Sequence, residues 1–395
     1  MWIKRDIEQN FASLIQEYPV VVLTGSRQVG KTALLEHLYG ANNLISFDLP
    51  RVAAEAEAAP EAFLEKLPPN AILDEIQYVP SLFRPLKYFA DRVLKPAGSN
   101  LFLTGSERFA LMAGVTESLA GRAAVVELGT LSLRELERHT GQEASKQQLL
   151  EWMIAGGYPG LHASTGDRRR FFSNLVSTYI ERDVRRLANV QDSRDFDRFM
   201  RLCANRTGQL LSMSGIAQEL GVSQPTVKRW LNVLTASAII DIVEPWHSNL
   251  NKRLVKTPKL YFNDTGLCAF LCGLVTTDEL QRSSLLGPLF ETACYGQLRR
   301  GLQNRGLQER IYFFRSRDGA EVDFIVPRGT EWLAYECKYS EHPAINQRNL
   351  TALVEATAMN IRKFSVATAS RSSYPLDENH TTWATSVVDL DRELV

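Results

Sequence analysis

Runs of apolar residues separated by amphipathic stretches dominate the first third of the sequence. Val20-Val21-Val22-Leu23 is a continuous β-branched run without polar alternation, which is typical of a strand buried on both faces of a parallel sheet. Four similar runs, each ending in polar residues, follow at 44–48, 71–74, 101–104 and 125–128. Helical periodicity occupies 3–17 and intervals such as 80–94, so residues 1–135 predict a parallel α/β sheet.

The remainder of the chain predicts three further units. Residues 132–190 have helical periodicity broken by turn formers at 156–160, which indicates a helical lid. Residues 195–245 contain short helical patterns and then the apolar run 238–243, as in a winged helix-turn-helix. Beyond 285 the order helix, strand, strand, strand, helix returns. The predicted domains of this multidomain α/β protein are 1–135, 136–192, 193–255 and 256–395.

Composition narrows the class of protein. A chain of 395 residues with 45% hydrophobic and 23% charged residues is too long for one core and too apolar for a disordered chain. No apolar run reaches the length of a membrane span, and the polar N-terminus is unlike a signal peptide, so we expect a cytoplasmic protein without a membrane partner. The net charge is zero, so no global field attracts nucleic acid.

The strongest chemical signal follows the first buried run. Residues 25–32 match GxxxxGK[ST] between a predicted strand and a predicted helix. Such a loop turns backbone N–H groups toward phosphate oxygens, while Lys31 reaches the outer phosphates and Thr32 holds Mg²⁺; the alternative is a glycine-rich structural turn. ATP and Mg²⁺ are therefore the predicted ligands. The predicted nucleotide-binding residues are Gly25, Ser26, Arg27, Gln28, Val29, Gly30, Lys31 and Thr32.

Further candidates for phosphate chemistry lie after later strands. Asp74 would bind Mg²⁺ through water and Glu75 would orient the attacking water, unless both are merely solvated acids. Thr104 and Ser106 are candidate sensors of the γ-phosphate, and the sequence does not separate them. Arg122 is placed to complete the site of a neighbouring subunit, which predicts a homo-oligomer, or else it is an ordinary solvated side chain.

These motifs together resemble a family of bacterial and archaeal AAA+-like ATPases that carry a conserved C-terminal domain of unknown function. The resemblance departs at Ser26, where Pro or Ala is usual, and at Thr130, where Pro often precedes the Leu-Ser pair. It implies a protein that binds and hydrolyses ATP. The segments that carry it span nearly the whole chain: 25–32, 73–77, 103–106, 119–122, 131–135, 156–159 and 258–267.

A helix-turn-helix pattern occupies 214–234, with the turn at 221–223 and Ser223 as the cap of the second helix. Residues 194–259 hold ten Lys and Arg against five Asp and Glu. DNA is therefore the predicted macromolecular partner, with docking to a protein as the alternative. The predicted shared core comprises Ile216, Ala217, Leu220, Val227, Leu231 and Leu234. The predicted outward side chains, of types that contact phosphates and base edges, are Gln224, Thr226, Lys228, Arg229 and Asn232.

The C-terminal part contains the pattern D-x12-E-x-K at Asp323, Glu336 and Lys338. Glu336 and Lys338 share one strand face, Asp323 can join them from the neighbouring strand, and Glu291 can supply another carboxylate. Two acids that hold Mg²⁺ beside a lysine are the apparatus of metal-dependent phosphodiester cleavage. The order of elements resembles the PD-(D/E)xK restriction-endonuclease-like fold. The alternative is a salt-bridged, catalytically silent core.

The predicted function is a Mg²⁺-dependent ATPase that acts on DNA or is regulated by it. One alternative is an ATP-gated, metal-dependent DNA nuclease that uses the C-terminal carboxylates. Another, from a different class, is a nucleotide switch or protein-docking module that binds ATP without hydrolysing it.

Overall fold

The computed structural model describes residues 2–105, 108–163, 166–180, 193–246, 256–307, 310–344, 347–378 and 381–394. Within these ranges no helix is both long and apolar enough to cross a membrane. The sensor candidate Ser106 lies outside them.

A five-stranded sheet, parallel at every pairing, forms the N-terminal unit. Its strand order is β2-β3-β4-β1-β5. Alternate residues of the central strand β1 enter two different hydrophobic clusters, so both faces of the sheet are covered, as its apolar sequence predicts. The strands are β1 (Val20–Thr24), β2 (Leu44–Ser46), β3 (Ile72–Asp74), β4 (Leu101–Thr104) and β5 (Ala123–Glu127).

Helices cover this sheet. The first helix begins at Glu8 rather than at residue 3. Residues 3–7 precede the helix, and Ile3 and Ile7 are buried there. The helices are α1 (Glu8–Glu17), α2 (Lys31–Tyr39), α3 (Pro50–Ala58), α4 (Pro60–Glu65), α5 (Phe83–Phe89), α6 (Lys95–Ala97) and α7 (Arg108–Ser118). Short 3-10 segments occur at Ala41–Asn43, Ile76–Tyr78 and Pro80–Leu82, and a π turn at Ala90–Leu94.

The middle of the chain is helical and ends in a two-stranded antiparallel sheet. Its helices are α8 (Leu133–Thr140), α9 (Lys146–Ala155), α10 (Pro159–Ala163), α11 (Arg168–Asn174), α12 (Ser193–Ala204), α13 (Met213–Leu220) and α14 (Gln224–Ala236), with a π segment at Leu175–Ile180. The strands are β6 (Ile240–Val243) and β7 (Lys259–Phe262). Since β7 pairs with β6, this sheet extends past the boundary predicted at residue 255.

The C-terminal part is built on a mixed six-stranded sheet of order β12-β13-β11-β10-β9-β8. One face shares a hydrophobic cluster with the middle helices and the N-terminal unit, and the other face has a cluster of its own. The helices are α15 (Thr265–Leu271), α16 (Thr277–Arg282), α17 (Leu286–Asn304) and α18 (Gln347–Thr357), followed by a 3-10 segment at Val387–Leu394. The strands are β8 (Tyr312–Arg315), β9 (Glu321–Arg328), β10 (Glu331–Lys338), β11 (Ile361–Thr368), β12 (Tyr374–Pro375) and β13 (Thr382–Ser386).

Candidate functional site

The loop between β1 and α2 has the backbone that its glycines predict. Gly25 has φ +141° and Gly30 has φ +91°, in the region that favours glycine. A Cβ on Gly25 would lie 2.2 Å from the carbonyl oxygen of Leu128 at the end of β5, so a side chain there would collide with backbone. The loop is thereby held against the sheet edge, and α2 begins directly after it at Lys31.

Lys31 is buried at this loop. Its Nζ donates to the carbonyl oxygens of Gly25 at 3.1 Å and Ser26 at 3.0 Å. Both acceptors belong to the loop itself, so the ammonium stays beside the N-terminus of α2. Positive charge and backbone N–H groups are thus concentrated where a phosphate group can bind.

The carboxylate of Asp74, at the end of β3, lies close to hydroxyl groups from α2, β2 and β4. Its Oδ1 accepts from the Thr32 hydroxyl at 2.9 Å and also from the Thr104 hydroxyl, while Ser46 Oγ lies 3.5 Å from Oδ2. The structure therefore brings together Thr32, Asp74 and Thr104. A carboxylate and hydroxyls are oxygen donors of the kind that Mg²⁺ prefers, so these residues fit that ion.

Glu75 follows Asp74 in a left-handed conformation, with φ +56°. This strained backbone turns the second carboxylate away from the strand and into contact with Gln77, whose side-chain nitrogen donates to it. Gln77 is buried, and its Oε1 would meet a Cβ on Gly105 at 2.4 Å. Gln77 therefore lies between the carboxyl ends of β3 and β4. The sequence analysis gives Gln77 no role in the site.

Arg122 lies next to Ala123, the first residue of β5, so it is at the opposite end of the parallel strands from the phosphate loop. Its guanidinium binds the carboxylate of Asp91 through Nε at 2.9 Å and Nη2 at 2.8 Å. These hydrogen bonds hold the pKa of Asp91 below its ordinary value. Within one chain Arg122 is thus paired with Asp91.

Arg5, to which the sequence analysis gives no role, binds both the phosphate loop and the segment after β5. Its guanidinium donates to Val29 O at 3.1 Å, to Gly129 O at 2.8 Å and to Glu135 Oε1 at 3.1 Å. Arg5 and Glu135 have only 4% and 1% of their side chains exposed. Glu135 also forms a capping box with Ser132 at the start of α8. A buried ion pair therefore ties the N-terminal segment to both the phosphate loop and α8.

The turn at 156–160 contacts the other side of the loop. Fully buried Tyr158 lines the same small cavity as Ser26 of the loop, and burial raises the pKa of Tyr158. Asp264 accepts from the Gly157 amide at 2.7 Å and caps α15 through the Leu267 amide at 2.9 Å. Asp264 lies in segment 258–267, one of the segments that carry the family resemblance. These bonds connect the phosphate loop to the segment after β7.

Residues 213–236 form two helices, α13 and α14, joined by a short turn. All six predicted core residues are buried, and Ser223 caps α14 by accepting from the Thr226 amide at 3.3 Å. Among the outward candidates, Thr226 is half-buried. The exposed ones are Gln224, Lys228, Arg229 and Asn232. These four residues all lie on α14.

The C-terminal acids meet a lysine that was not predicted to join them. Lys259 Nζ lies 2.9 Å from Glu291 Oε1, 2.7 Å from Glu321 Oε1 and 3.8 Å from Asp323 Oδ1, and only 4% of its side chain is exposed. Burial opposes the charge on Lys259, but the three acids outweigh burial and raise its pKa. Burial raises the pKa of Asp323 to about 8. Tyr261 donates to Glu291 as well.

Glu336 and Lys338 have other surroundings. Glu336 is buried and accepts from Asn349 of α18 at 2.7 Å, whereas Lys338 is exposed. Strand β9 has one residue more than β8 between the pairs Tyr312–Ile325 and Phe314–Val322, and this bulge directs both Asp323 and Phe324 toward β7. No group of three His, Cys, Asp or Glu in the described ranges is arranged to hold a metal ion. The structure thus brings Glu291 and Asp323 together at Lys259, whereas Glu336 contacts Asn349 instead.

The family comparisons define the class of the N-terminal unit. Residues 17–137 match the family model of an AAA domain, which together with the phosphate loop on a parallel sheet makes this unit an AAA-type P-loop ATPase domain. Residues 146–278 match a domain of unknown function, DUF8612, and residues 286–388 match another, DUF4143.

Two curated relatives are similar to this chain over nearly its whole length. The uncharacterized proteins Rv2008c of Mycobacterium tuberculosis and Mb2031c of Mycobacterium bovis are each 30% identical over 377 residues, covering 95% of this chain and 82% of theirs. The chain belongs to the family of these two proteins. Among solved structures, the Walker-type ATPase PABY2304 of Pyrococcus abyssi is 18% identical, covers 68% of this chain and 96% of its own, and has a TM-score of 0.44.

Proposed function

We propose that this protein is a Mg²⁺-dependent ATPase whose turnover is regulated by DNA. The observation that carries the ATPase part is the contact of Thr32 with Asp74 at 2.9 Å, because it joins the phosphate loop to the acid of β3. Both groups would hold Mg²⁺, which supplies positive charge that neutralises the β- and γ-phosphate oxygens. The chain's own residues then bind, orient and shield the reacting groups.

Each polar residue at the sheet edge has a role in this proposal. Lys31 contacts the outer phosphates after leaving the loop carbonyls that it now binds. Glu75, held by Gln77, orients the attacking water and accepts its proton. Thr104 is the described sensor candidate, since its hydroxyl shares Asp74 with Thr32. Binding in a cleft at the carboxyl ends of parallel strands is the general rule for open α/β sheets.

The DNA part rests on the exposed face of α14 and on a route from β6 to the phosphate loop. Arg299 of α17 binds Glu127 Oε1 at 2.6 Å and also binds Asp241 of β6. Glu127 pairs with Thr24, the residue directly before the loop. A displacement of β6 caused by DNA on α14 would therefore act, through Arg299, on the strand next to the nucleotide site.

The oligomer part rests on Arg122. To act in the site of a neighbouring subunit, the Arg122 guanidinium must leave Asp91 and bind a phosphate oxygen of the nucleotide in that site. The positive guanidinium and the negative phosphate attract each other, which favours this exchange. Both side chains of this pair are only half-buried, so each remains partly accessible to a second copy.

The deciding experiment is steady-state ATP turnover at several protein concentrations, with and without duplex DNA. Glu75→Gln should lower kcat by about 100-fold or more while ATP still binds, as for loss of a catalytic base, and Lys31→Ala should abolish turnover. Turnover equal to that of Lys31→Ala would refute the ATPase and leave the non-hydrolysing switch as the function.

The DNA part has its own variant pair. Lys228→Ala/Arg229→Ala should abolish stimulation by DNA and reduce the slope of log affinity against log salt by about 2, one for each lost phosphate contact. Arg84→Ala/Lys87→Ala removes the same charge from the exposed side of α5 and serves as the matched control. Equal effects of the two double variants would reduce the DNA contact to general charge attraction, and an unstimulated wild type would contradict it.

A further inference from the structure

The acids of the C-terminal part already have a cation. Lys259 extends from the first residue of β7, and its ammonium contacts carboxylates from α17 and from two positions of β9, namely Glu291, Glu321 and Asp323. It also lies 5.4 Å from the ring centroid of Phe313 in β8. With 4% of its side chain exposed, the ammonium has left bulk water for these partners.

A divalent metal at these acids would require the same oxygen atoms. Mg²⁺ binds carboxylate oxygens at about 2.0–2.1 Å. The Lys259 nitrogen is 2.7 Å from Glu321 and 2.9 Å from Glu291, so a metal on both oxygens would lie next to the ammonium. Two positive charges at such a separation repel strongly in a buried setting. The lysine and the metal therefore exclude each other.

The carboxylate expected as the second metal ligand does not join the cluster. Glu336 binds Asn349 of α18 instead, and Asp323 binds the Cys337 amide at 2.8 Å through its second oxygen. Asp323 is therefore held by a backbone donor on one side and faces the ammonium on the other. The donor set does not fit the two-acid metal site that the nuclease-like fold implies.

We propose that the Lys259 ammonium takes the place of a divalent cation in the C-terminal domain. Glu291 and Glu321 then form with it an ion-pair joint that fastens β7 to α17 and β9, with Asp323 beside them, and the domain does not cleave phosphodiester bonds. This proposal is independent of ATP hydrolysis at the phosphate loop.

The test measures Mn²⁺ binding to the full chain without nucleotide, by the loss of the free-ion electron paramagnetic resonance signal. Asp74→Asn serves as the background, because it weakens the other acid site. In this background no Mn²⁺ should bind up to about 1 mM, the weak end of protein sites for hard cations. Lys259→Met should create one site, and adding Glu291→Gln should remove it. Lys338→Met, which removes an exposed lysine from β10, should create none.

Two results would overturn the proposal. One is Mn²⁺ binding by the Asp74→Asn chain that disappears with Glu291→Gln or Asp323→Asn. The other is a Lys259→Met chain that keeps its circular dichroism spectrum yet gains no site. If Lys259→Met does not fold, the chain that retains Lys259 decides: no bound Mn²⁺ and no Mn²⁺-dependent nicking of plasmid DNA support the joint. Nicking that Glu336→Gln abolishes refutes it.

Discussion

Arg5→Ala should destabilise the ATPase domain, because it leaves a buried carboxylate without its cation. Arg5 and Glu135 are 4% and 1% exposed, and breaking a pair of this kind costs about 3–5 kcal/mol. Glu135 keeps two backbone donors, Asp6 N at 2.7 Å and Ser132 N at 2.8 Å, which favour the low end. The lost contact to Val29 O acts on the phosphate loop itself. We therefore expect a loss of about 3 kcal/mol in the free energy of opening, together with weaker ATP binding.

Hydrogen exchange followed by mass spectrometry on peptides of β1 and α2 measures this local opening free energy, and a fluorescent ATP analogue measures affinity. Arg138→Ala is the matched control. It removes a pair with Asp6 in the same N-terminal segment, but the two side chains are 40% and 25% exposed, so we expect about 1 kcal/mol or less. Arg5→Ala/Glu135→Gln should recover part of the loss, since no buried charge remains unpaired. A loss for Arg5→Ala no larger than that for Arg138→Ala would refute the reasoning.

Three further predictions concern single side chains. Arg122→Ala should lower the thermal midpoint only slightly because its pair with Asp91 is only half-buried, and it should abolish turnover that a Lys31→Ala subunit restores on mixing; retained turnover would reduce Arg122 to a surface residue. Thr104→Ala should lower kcat more than ATP affinity, as a split of kcat from KM would show. Burial lowers the pKa of His162 in the folded protein below its ordinary value of 6.5. Above pH 6.5 the imidazole is neutral in both the folded and the unfolded state, so the folded state keeps its full stability. Below pH 6.5 the unfolded state takes up the proton more readily, so the free energy of unfolding falls. His162→Gln should therefore flatten the fall of Tm between about pH 7.5 and 5.5, and an unchanged slope would contradict this.

The features of the sequence that predict the phosphate loop are local. A strand buried on both faces, two glycines, a lysine and a threonine lie within residues 20–32, and each has a fixed task within that stretch. The meeting of Thr32 with Asp74 follows from the rule that parallel strands end at one edge. Periodicity and the geometry of the sheet edge are therefore enough to predict which residues meet there.

The supports of that site are not local, and periodicity does not show them. Arg5 binds carbonyl oxygens and a carboxylate that lie 24, 124 and 130 residues further along the chain. The apolar spacing of Ile3, Ile7 and Phe11 predicts a helix from residue 3 and assigns no role to Arg5. Only the fold shows that the Arg5 guanidinium is enclosed and that the helix begins at Glu8.

The C-terminal acids show a second limit, which is chemical rather than topological. The pattern of Asp323, Glu336 and Lys338 indicates oxygen donors, but a carboxylate cluster is satisfied equally by a metal ion or by an ammonium group. Which cation it holds depends on whether a lysine from elsewhere is buried against it. Lys259 is on a strand of another sheet, so the acid motif contains no sign of it. The discriminating quantity is the position of a buried ammonium, and a motif of acids can indicate catalysis only where no such group occupies the same oxygens.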